Sequence, residues 1–290
     1  MFEGIHTALI TPFRQGCVDE DALRAHVERQ IEAGIDGLVP CGSTGESATL
    51  SHVEHRQVVE IVIDAAAGRV PVIAGTGSNS TREAIEFTAH ARDAGAEGAL
   101  LLSPYYNKPT QDGIYAHYAT IAQETGLPLV VYNVPGRTAS NIAPDTLARL
   151  AHLPGIVAVK EASGDLDQMA HVIAKSPPDF AVLSGDDSLT LPLLAIGGKG
   201  LISTSSNVAP RQVADLVRRF SSGDIAGAQS RHYELLPLFD VLFCETNPIP
   251  LKAALALQGF IGDEIRLPLT PITDANRERL AVVLKDLGLL

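Results

Sequence analysis

The chain has 290 residues, of which 46% are hydrophobic and 19% charged, a composition typical of a globular protein with a large core. Its 34 acidic and 22 basic side chains give a net charge of −12, which disfavours nucleic acid and anionic membranes as partners. No apolar run approaches the roughly 18 residues that a membrane span needs. The three cysteines match neither a disulfide framework nor a metal-binding spacing, so we expect a soluble cytoplasmic protein.

Strand and helix patterns alternate along most of the chain. Short apolar runs bounded by Gly or Pro predict strands, and the stretches between them place apolar residues at the three-to-four spacing of amphipathic helices. The predicted strands cover residues 7–10, 37–40, 70–74, 98–102, 129–132, 156–160, 180–183 and 200–204. The predicted helices include residues 19–33, 54–66, 81–94 and 113–125.

Eight strand–helix repeats predict an α/β fold, a closed (β/α)8 TIM barrel. An open, doubly wound sheet is the alternative, but eight alternations within about 220 residues favour closure. Residues 224–290 show helical patterning without clear strands. We therefore predict a catalytic barrel over residues 1–223 and a C-terminal helical region over residues 224–290.

Two polar side chains end neighbouring strands at the edge where parallel α/β sheets carry their active sites. Tyr132 ends the strand 129–132, and Lys160 ends the strand 156–160. An apolar wall around the lysine favours its neutral amine, a nucleophile toward carbonyl carbon, and the tyrosine could carry protons. The alternative is a structural pair of Lys160 with Glu161 beside a core-packing Tyr132. These residues alone leave both interpretations open.

Several loops that follow the strands offer groups for binding anions. The Gly-Ser-Thr-Gly loop at 42–45 can turn its N–H groups toward an anion, although an ordinary turn explains it as well. Arg137 follows a Pro-Gly turn, which suits capture of a carboxylate, with a surface arginine as the alternative. Asp186 and Asp187 stand where phosphate-binding barrels place a phosphate. We therefore predict neither a phosphorylated substrate nor a nucleotide cofactor.

Tyr105 and Tyr106 lie together in the loop after the fourth predicted strand. They could close a site or reach into a neighbouring subunit, and simple packing is the alternative. His52 and His55 are three residues apart, but the sequence offers no third ligand nearby. We therefore predict no metal site.

Three motifs together resemble those of the dihydrodipicolinate synthase / N-acetylneuraminate lyase superfamily, which consists of pyruvate-dependent class I aldolases with a barrel fold. The motifs are Gly-Ser-Thr-Gly-Glu at 42–46, Tyr-Asn-Val-Pro at 132–135 and Val-Lys-Glu-Ala at 159–162. The resemblance covers nearly the whole chain, from residue 10 to the C-terminus. The Asn-Val-Pro-x-Arg-Thr form at 133–138 is similar to the synthase branch, since sialic-acid lyases lack this arginine.

The resemblance implies a Schiff-base reaction. Lys160 would form an imine with pyruvate, without metal or other cofactor, and the derived enamine would attack L-aspartate 4-semialdehyde. The resemblance would thus place the chain in lysine and diaminopimelate biosynthesis. Tyr132, Thr44 and Tyr106 would form a proton relay, with Tyr106 donated by the adjacent subunit of a homo-oligomer. The family implies a homotetramer that is a dimer of dimers.

The resemblance also assigns the binding groups for the two substrates. Ser43 and Thr44 would hold the pyruvate carboxylate, and main-chain groups near Gly185 and Ile202 would line the pyruvate side. Arg137 would receive the carboxylate of the semialdehyde. This agrees with the anion-binding groups that the loops offer.

A second, regulatory site for L-lysine as feedback inhibitor is implied by further matching positions. Glu83 offers a carboxylate to an ammonium group, while histidines and an amide offer hydrogen bonds. The matching positions are Ser47, Ala48, Leu50, His52, His55, Asn79, Glu83 and Tyr105.

Two alternatives stay open. The first is another pyruvate-dependent aldolase or lyase that acts on a sialic acid or a 2-keto-3-deoxy sugar acid, for which a second carboxylate clamp has less use. The second is a catalytically silent barrel that binds a metabolite.

Overall fold

The computed structural model describes residues 1–290, in which eight parallel strands form one sheet surrounded by helices. In chain order the strands are β1 Gly4–Ala8, β2 Gly37–Val39, β3 Ile73–Gly75, β4 Gly98–Leu102, β5 Leu129–Asn133, β6 Ile156–Glu161, β7 Ala181–Ser184 and β8 Gly200–Ser203. Their order in the sheet is β2-β1-β8-β7-β6-β5-β4-β3.

The two ends of this sheet meet between β2 and β3. Leu38 and Val72 form a parallel bridge there, and the N–H of Gly75 donates to the carbonyl of Pro40 at 2.8 Å. The sheet therefore closes nearly completely, and the predicted TIM barrel is confirmed. The barrel interior is filled by buried side chains such as Ile73, Val130 and Ile202. A ligand site must therefore lie at an edge of the barrel rather than inside it.

Helices cover the outer face of the barrel. The predicted helix 81–94 is observed at those bounds, because Ser80 caps its first turn and Gly95 ends it in the left-handed conformation. The predicted helix 54–66 begins two residues earlier, at His52, because Ser51 and Glu54 form a capping box. The helices are α1 Glu20–Glu32, α2 His52–Ala66, α3 Thr81–Ala94, α4 Gln111–Thr125, α5 Pro135–Thr138, α6 Pro144–Ala151, α7 Leu166–Lys175, α8 Thr190–Ala195, α9 Pro210–Ser221, α10 Ile225–Val241, α11 Ile249–Leu257 and α12 Asp274–Asp286.

The first strand differs most from its prediction. Residues 7–10 were predicted, and the strand is Gly4–Ala8. It stops early because the N–H of Ile10 donates to the side chain of Asn207 at 3.2 Å rather than to a neighbouring strand. A short hairpin of Phe13–Arg14 with Cys17–Val18, which was not predicted, follows it.

The C-terminal helices α10, α11 and α12 pack against the barrel without a separating linker. Leu238 and Leu251 share one buried apolar cluster with Ile5 of β1 and Leu201 of β8. The predicted helical character of this region is confirmed, while a domain boundary near residue 223 stays a prediction. No helix is both long enough and apolar enough to cross a membrane.

Candidate active site

Tyr132 and Lys160 are direct partners in the register of β5 and β6. Both lie at the carboxyl ends of their strands and are largely buried, with 8% and 5% of their surface exposed. The Lys160 amine lies 4.4 Å from the centre of the Tyr132 ring. The sequence-based expectation that these two side chains are neighbours at one edge of the sheet is therefore met.

A cavity of about 60 Å³ opens at this edge of the barrel. Six of the residues predicted to act in catalysis or substrate binding line it together. They are Ser43, Thr44, Tyr132, Arg137, Lys160 and Gly185. The cavity thus combines an amine, two aliphatic hydroxyls, a phenol and a guanidinium, which is a set of groups suited to carbonyl chemistry on an anionic substrate.

The loop that carries Ser43 and Thr44 is packed closely against β1. A Cβ atom at Gly45 would lie 3.0 Å from the carbonyl oxygen of Leu9, so this approach needs glycine. The hydroxyl of Thr11 donates to the carbonyl of Gly45 at 2.7 Å. These contacts fix the position of Thr44 relative to the strand edge.

Asn247, from the C-terminal region, contacts two of the predicted site residues. Its side-chain amide donates to Thr44 Oγ1 at 3.0 Å, and its main-chain carbonyl accepts from Arg137 Nη2 at 3.3 Å. Because the Thr44 oxygen accepts this bond, its single proton is available for a different acceptor in the cavity. Arg137 lies on the short helix α5, and its guanidinium is aimed at the cavity by this contact.

Two neighbouring carboxyl groups, Asp186 and Asp187, interact electrostatically with the amine of Lys160. Asp186 lines the cavity; burial raises its pKa, and the charge of Lys160 opposes that rise. Asp187 is fully enclosed and accepts hydrogen bonds from the hydroxyl of Ser203 and the N–H of Thr204. Burial also raises the pKa of Asp187. Asp187 thereby ties the end of β8 to the end of β7, while Asp186 places negative potential beside the amine.

Ile202 and Tyr106 do not line this cavity. Ile202 is completely buried inside the barrel, and Thr204, two residues further along, is the lining residue from that segment. Tyr106 is 89% exposed and has a left-handed backbone with φ of +72°. Nothing within the chain brings the Tyr106 phenol to Lys160, so the proton-relay role of Tyr106 stays a prediction that requires a second subunit.

A second, larger cavity of about 450 Å³ adjoins the first one. Seven of the eight residues predicted for a lysine site line it: Ser47, Ala48, Leu50, His52, His55, Glu83 and Tyr105. The eighth, Asn79, donates to the carbonyl of Tyr105 at 3.2 Å. Tyr132, Arg137 and Asn247 line both cavities, so the two predicted sites are physically continuous.

Hydrogen bonds hold the polar side chains of this larger cavity. Glu83 lies 3.1 Å from His52 Nε2 and also accepts from the hydroxyl of Ser78. His55 Nε2 donates to the carbonyl of Gly75 at 2.8 Å. Burial lowers the pKa of His55 to about 4, so its ring is neutral near pH 7. Two carboxylates line this cavity, and Glu46 is already paired with Lys252, so Glu83 is the one that is available to a cation.

Two residues of the site, Asn247 and Asp186, were not predicted from the sequence to lie there. Asn247 lies in a region that was predicted to be appended helices, 203 residues away from Thr44. No local pattern marks such a contact. Asp186 was noted only as a residue that disfavours phosphate, although its position after β7 is a signal that could have placed it in the site.

No group of three or more His, Cys, Asp and Glu side chains is placed to hold a metal ion. His52 and His55 instead contact the ring of Phe87, with ring centres 4.9 and 4.2 Å away. The absence of a metal or another cofactor from the reaction stays a prediction.

The chain is similar to known proteins over its full length. Residues 1–287 match the model of the dihydrodipicolinate synthetase family. A 4-hydroxy-tetrahydrodipicolinate synthase of Syntrophus aciditrophicus is 56% identical over 290 residues, which cover 100% of both chains.

Two solved structures are also similar to this chain over its full length. A chloride-inhibited dihydrodipicolinate synthase from Acinetobacter baumannii, complexed with pyruvate, is 45% identical with a TM-score of 0.98, over 100% of both chains. A synthase from Cyanidioschyzon merolae with lysine bound is 43% identical with a TM-score of 0.97, over 100% of this chain and 99% of that one. The arrangement of Lys160, Tyr132 and Thr44 and these full-length similarities lead to one conclusion: the chain belongs to the dihydrodipicolinate synthetase family.

Proposed function

We propose that the chain is a lyase that condenses pyruvate with L-aspartate 4-semialdehyde to give 4-hydroxy-tetrahydrodipicolinate, in the biosynthesis of diaminopimelate and lysine. The observation that carries the proposal is the buried Lys160 amine beside Tyr132, in one cavity with Thr44 and Arg137. The name of the Syntrophus aciditrophicus relative and the pyruvate complex of the Acinetobacter baumannii enzyme support it.

The first step forms an imine. The amine nitrogen of Lys160 attacks the keto carbon of pyruvate, and the carbonyl oxygen leaves as water once it has received protons. The Tyr132 ring lies 4.4 Å from the amine, and Thr44 has a hydroxyl proton free to donate, so we assign the proton transfers to these two residues. The N–H groups and hydroxyls of the Ser43–Thr44 segment hold the pyruvate carboxylate.

The second step forms the carbon–carbon bond. The protonated imine withdraws electrons from the pyruvate methyl group, which loses a proton to the Tyr132–Thr44 pair to give an enamine. The enamine carbon attacks the aldehyde carbon of the semialdehyde, whose carboxylate Arg137 binds, and the aldehyde oxygen takes up that proton to become a hydroxyl. The amine of the semialdehyde then attacks the imine carbon and displaces Lys160, which closes the ring and restores the free lysine. The imine is the electron sink throughout, so the proposal includes no metal, nicotinamide or flavin.

Turnover of the two substrates together tests this proposal. The wild-type chain is expected to consume both, whereas Lys160→Ala is expected to lose activity by several orders of magnitude, because no other amine reaches the cavity. Lys199→Ala, at an exposed lysine, is the matched control and is expected to keep wild-type rates. A folded wild-type protein that consumes no semialdehyde would contradict the proposal, and turnover of a 2-keto-3-deoxy sugar acid or a sialic acid would replace it.

We also propose that L-lysine inhibits the enzyme from the larger cavity. Glu83 binds the ammonium group, and the continuity of this cavity with Tyr132 and Arg137 gives the effector a route to the site. The lysine bound to the Cyanidioschyzon merolae enzyme supports this proposal. Glu83→Gln is expected to raise the half-inhibiting lysine concentration at least tenfold. Glu60→Gln, at an exposed carboxylate that pairs with His90, is the matched control. Equal inhibition of both variants would contradict the assignment.

The proposal includes a homotetramer, a dimer of dimers, in the cytoplasm. Its support within this chain is the exposed, conformationally strained Tyr106, a side chain with no partner of its own that another subunit can accept.

A further inference from the structure

A buried ion pair connects the C-terminal region to the loop that carries Ser43 and Thr44. Lys252 Nζ lies 2.6 Å from Glu46 Oε1, and each side chain is only 1% exposed. The amine also lies 4.2 Å from the ring centre of Phe13. The other oxygen of Glu46 accepts from the N–H of Arg266 at 3.2 Å. Two segments of the C-terminal region therefore hold one carboxylate.

Glu46 is the residue at which the loop turns. Its backbone is left-handed, with φ of +54°, and its N–H donates back to the carbonyl of Ser43 at 3.2 Å. Lys252 lies on α11, and the residues just before that helix include Asn247, which donates to Thr44. The segment just before α11 thus contacts the loop at Thr44, and the helix itself contacts the loop at Glu46.

Stability alone is a weak explanation for this pair. A buried ion pair costs about as much in desolvation as it gains in attraction, and apolar replacements of both partners are often neutral. In some proteins such a pair instead fixes one defined arrangement of the segments that it joins. Lys252 lines neither of the two cavities at the active site, so it cannot contact the substrates.

We propose that Lys252 is a positioning residue for the reaction, which holds the Ser43–Thr44 segment in its pyruvate-binding position through Glu46. The inference rests on the proposed function, because it assigns the pyruvate carboxylate to that segment. Loss of the pair lets the loop shift, so the N–H groups and the Thr44 hydroxyl no longer converge on the carboxylate. The affinity for pyruvate is therefore lowered, while Lys160 itself stays in place on β6.

Trapping of pyruvate by borohydride at increasing pyruvate concentration measures this effect without the semialdehyde. Lys252→Met keeps the length of the side chain. It is expected to raise the half-saturating pyruvate concentration about tenfold or more, because a misplacement of the binding groups by about 1 Å is enough for a loss of that size. Trapping at saturating pyruvate is expected to reach the wild-type stoichiometry. Lys285→Met, at an exposed lysine of α12, is the matched control and is expected to match wild type.

The double variant Glu46→Gln/Lys252→Met separates positioning from stability. It removes both buried charges at nearly constant volume, so it is expected to recover the midpoint of thermal unfolding that Lys252→Met loses. Its half-saturating pyruvate concentration is expected to stay raised about fivefold or more. A double variant that binds pyruvate as wild type does would overturn the inference. A wild-type protein that traps no pyruvate would instead overturn the proposed function.

Discussion

At the scale of single residues, Asn247 contacts one binding residue of each proposed substrate. Its side-chain amide donates to Thr44, which is proposed to bind pyruvate. Its main-chain carbonyl accepts from Arg137, which is proposed to bind the semialdehyde. The distance of each group from Lys160 is therefore set partly by one residue from outside the strand–helix repeats. In the proposed reaction Thr44 binds pyruvate and Arg137 binds the semialdehyde, so the two roles are tested by separate measurements.

Arg137→Ala is expected to affect the second substrate selectively. A hydrogen bond from a guanidinium to a carboxylate contributes ~1.5–3 kcal/mol to binding. Its loss should therefore lower kcat/KM for the semialdehyde by roughly 10- to 150-fold. Steady-state kinetics with each substrate varied in turn, together with pyruvate trapping, measure the effect. Arg211→Ala, at an exposed arginine of α9, serves as control. Unchanged kinetics for the semialdehyde, or an equal loss in pyruvate trapping, would show that Arg137 has another role.

At the scale of elements, α3 is held between α2 and α4 by two buried histidines. His55 of α2 contacts the ring of Phe87, and His117 of α4 lies 2.9 Å from the hydroxyl of Thr81. Burial lowers the pKa of both histidines to about 4. Both rings are therefore neutral in the folded protein over a range in which the unfolded chain binds a proton.

The stability of the fold is expected to fall as pH decreases from about 6.5 to about 4. Below the unfolded pKa of about 6.5 the unfolded state takes up a proton at each histidine, and the folded state does so only near 4, so each contributes a loss of up to ~3 kcal/mol. Urea unfolding at pH 7 and pH 5 measures the loss. His117→Gln should show a smaller loss than wild type, whereas His152→Gln, at an exposed histidine, should not. The same pH dependence in all three proteins would contradict this account.

The strands and helices could be predicted from the sequence, whereas the contacts between distant segments could not. The eight repeats were recognisable because strand and helix patterns depend on near neighbours, and the pairing of Tyr132 with Lys160 follows from parallel strands. The start of β1 was misplaced because it contains a glycine and a buried histidine, His6. The contacts of Asn247 and Lys252 span 203 and 206 residues, and no local periodicity predicts them.

At the scale of the whole molecule, one member of the proposed proton relay, Tyr106, lies outside the site of its own chain. Tyr106 is exposed on a left-handed turn, away from the cavity that contains Lys160. A subunit that supplies its Tyr106 to a partner's site would explain why one chain leaves this side chain without contacts. Assembly and catalysis would then be coupled, and a separated subunit would have an incomplete relay.

Complementation between two inactive variants tests this arrangement. Co-expressed Tyr106→Phe and Lys160→Ala chains are expected to form mixed oligomers that regain activity, because a site with an intact Lys160 then receives an intact Tyr106 from the other chain. Specific activity of purified mixed oligomers measures it, with a maximum of one active site in each mixed pair. Activity no higher than that of the two separate variants would contradict the donation of Tyr106 between subunits.

Pyruvate trapping on Lys160 is the most direct test of the central claim, that this amine is the nucleophile. The protein would be treated with pyruvate and borohydride, digested, and its peptides mapped by mass spectrometry. If Lys160 is the nucleophile, one reduced pyruvate adduct per chain is expected on Lys160, and none is expected in the Lys160→Ala variant. An adduct on another lysine, or no adduct on a folded protein, would contradict it.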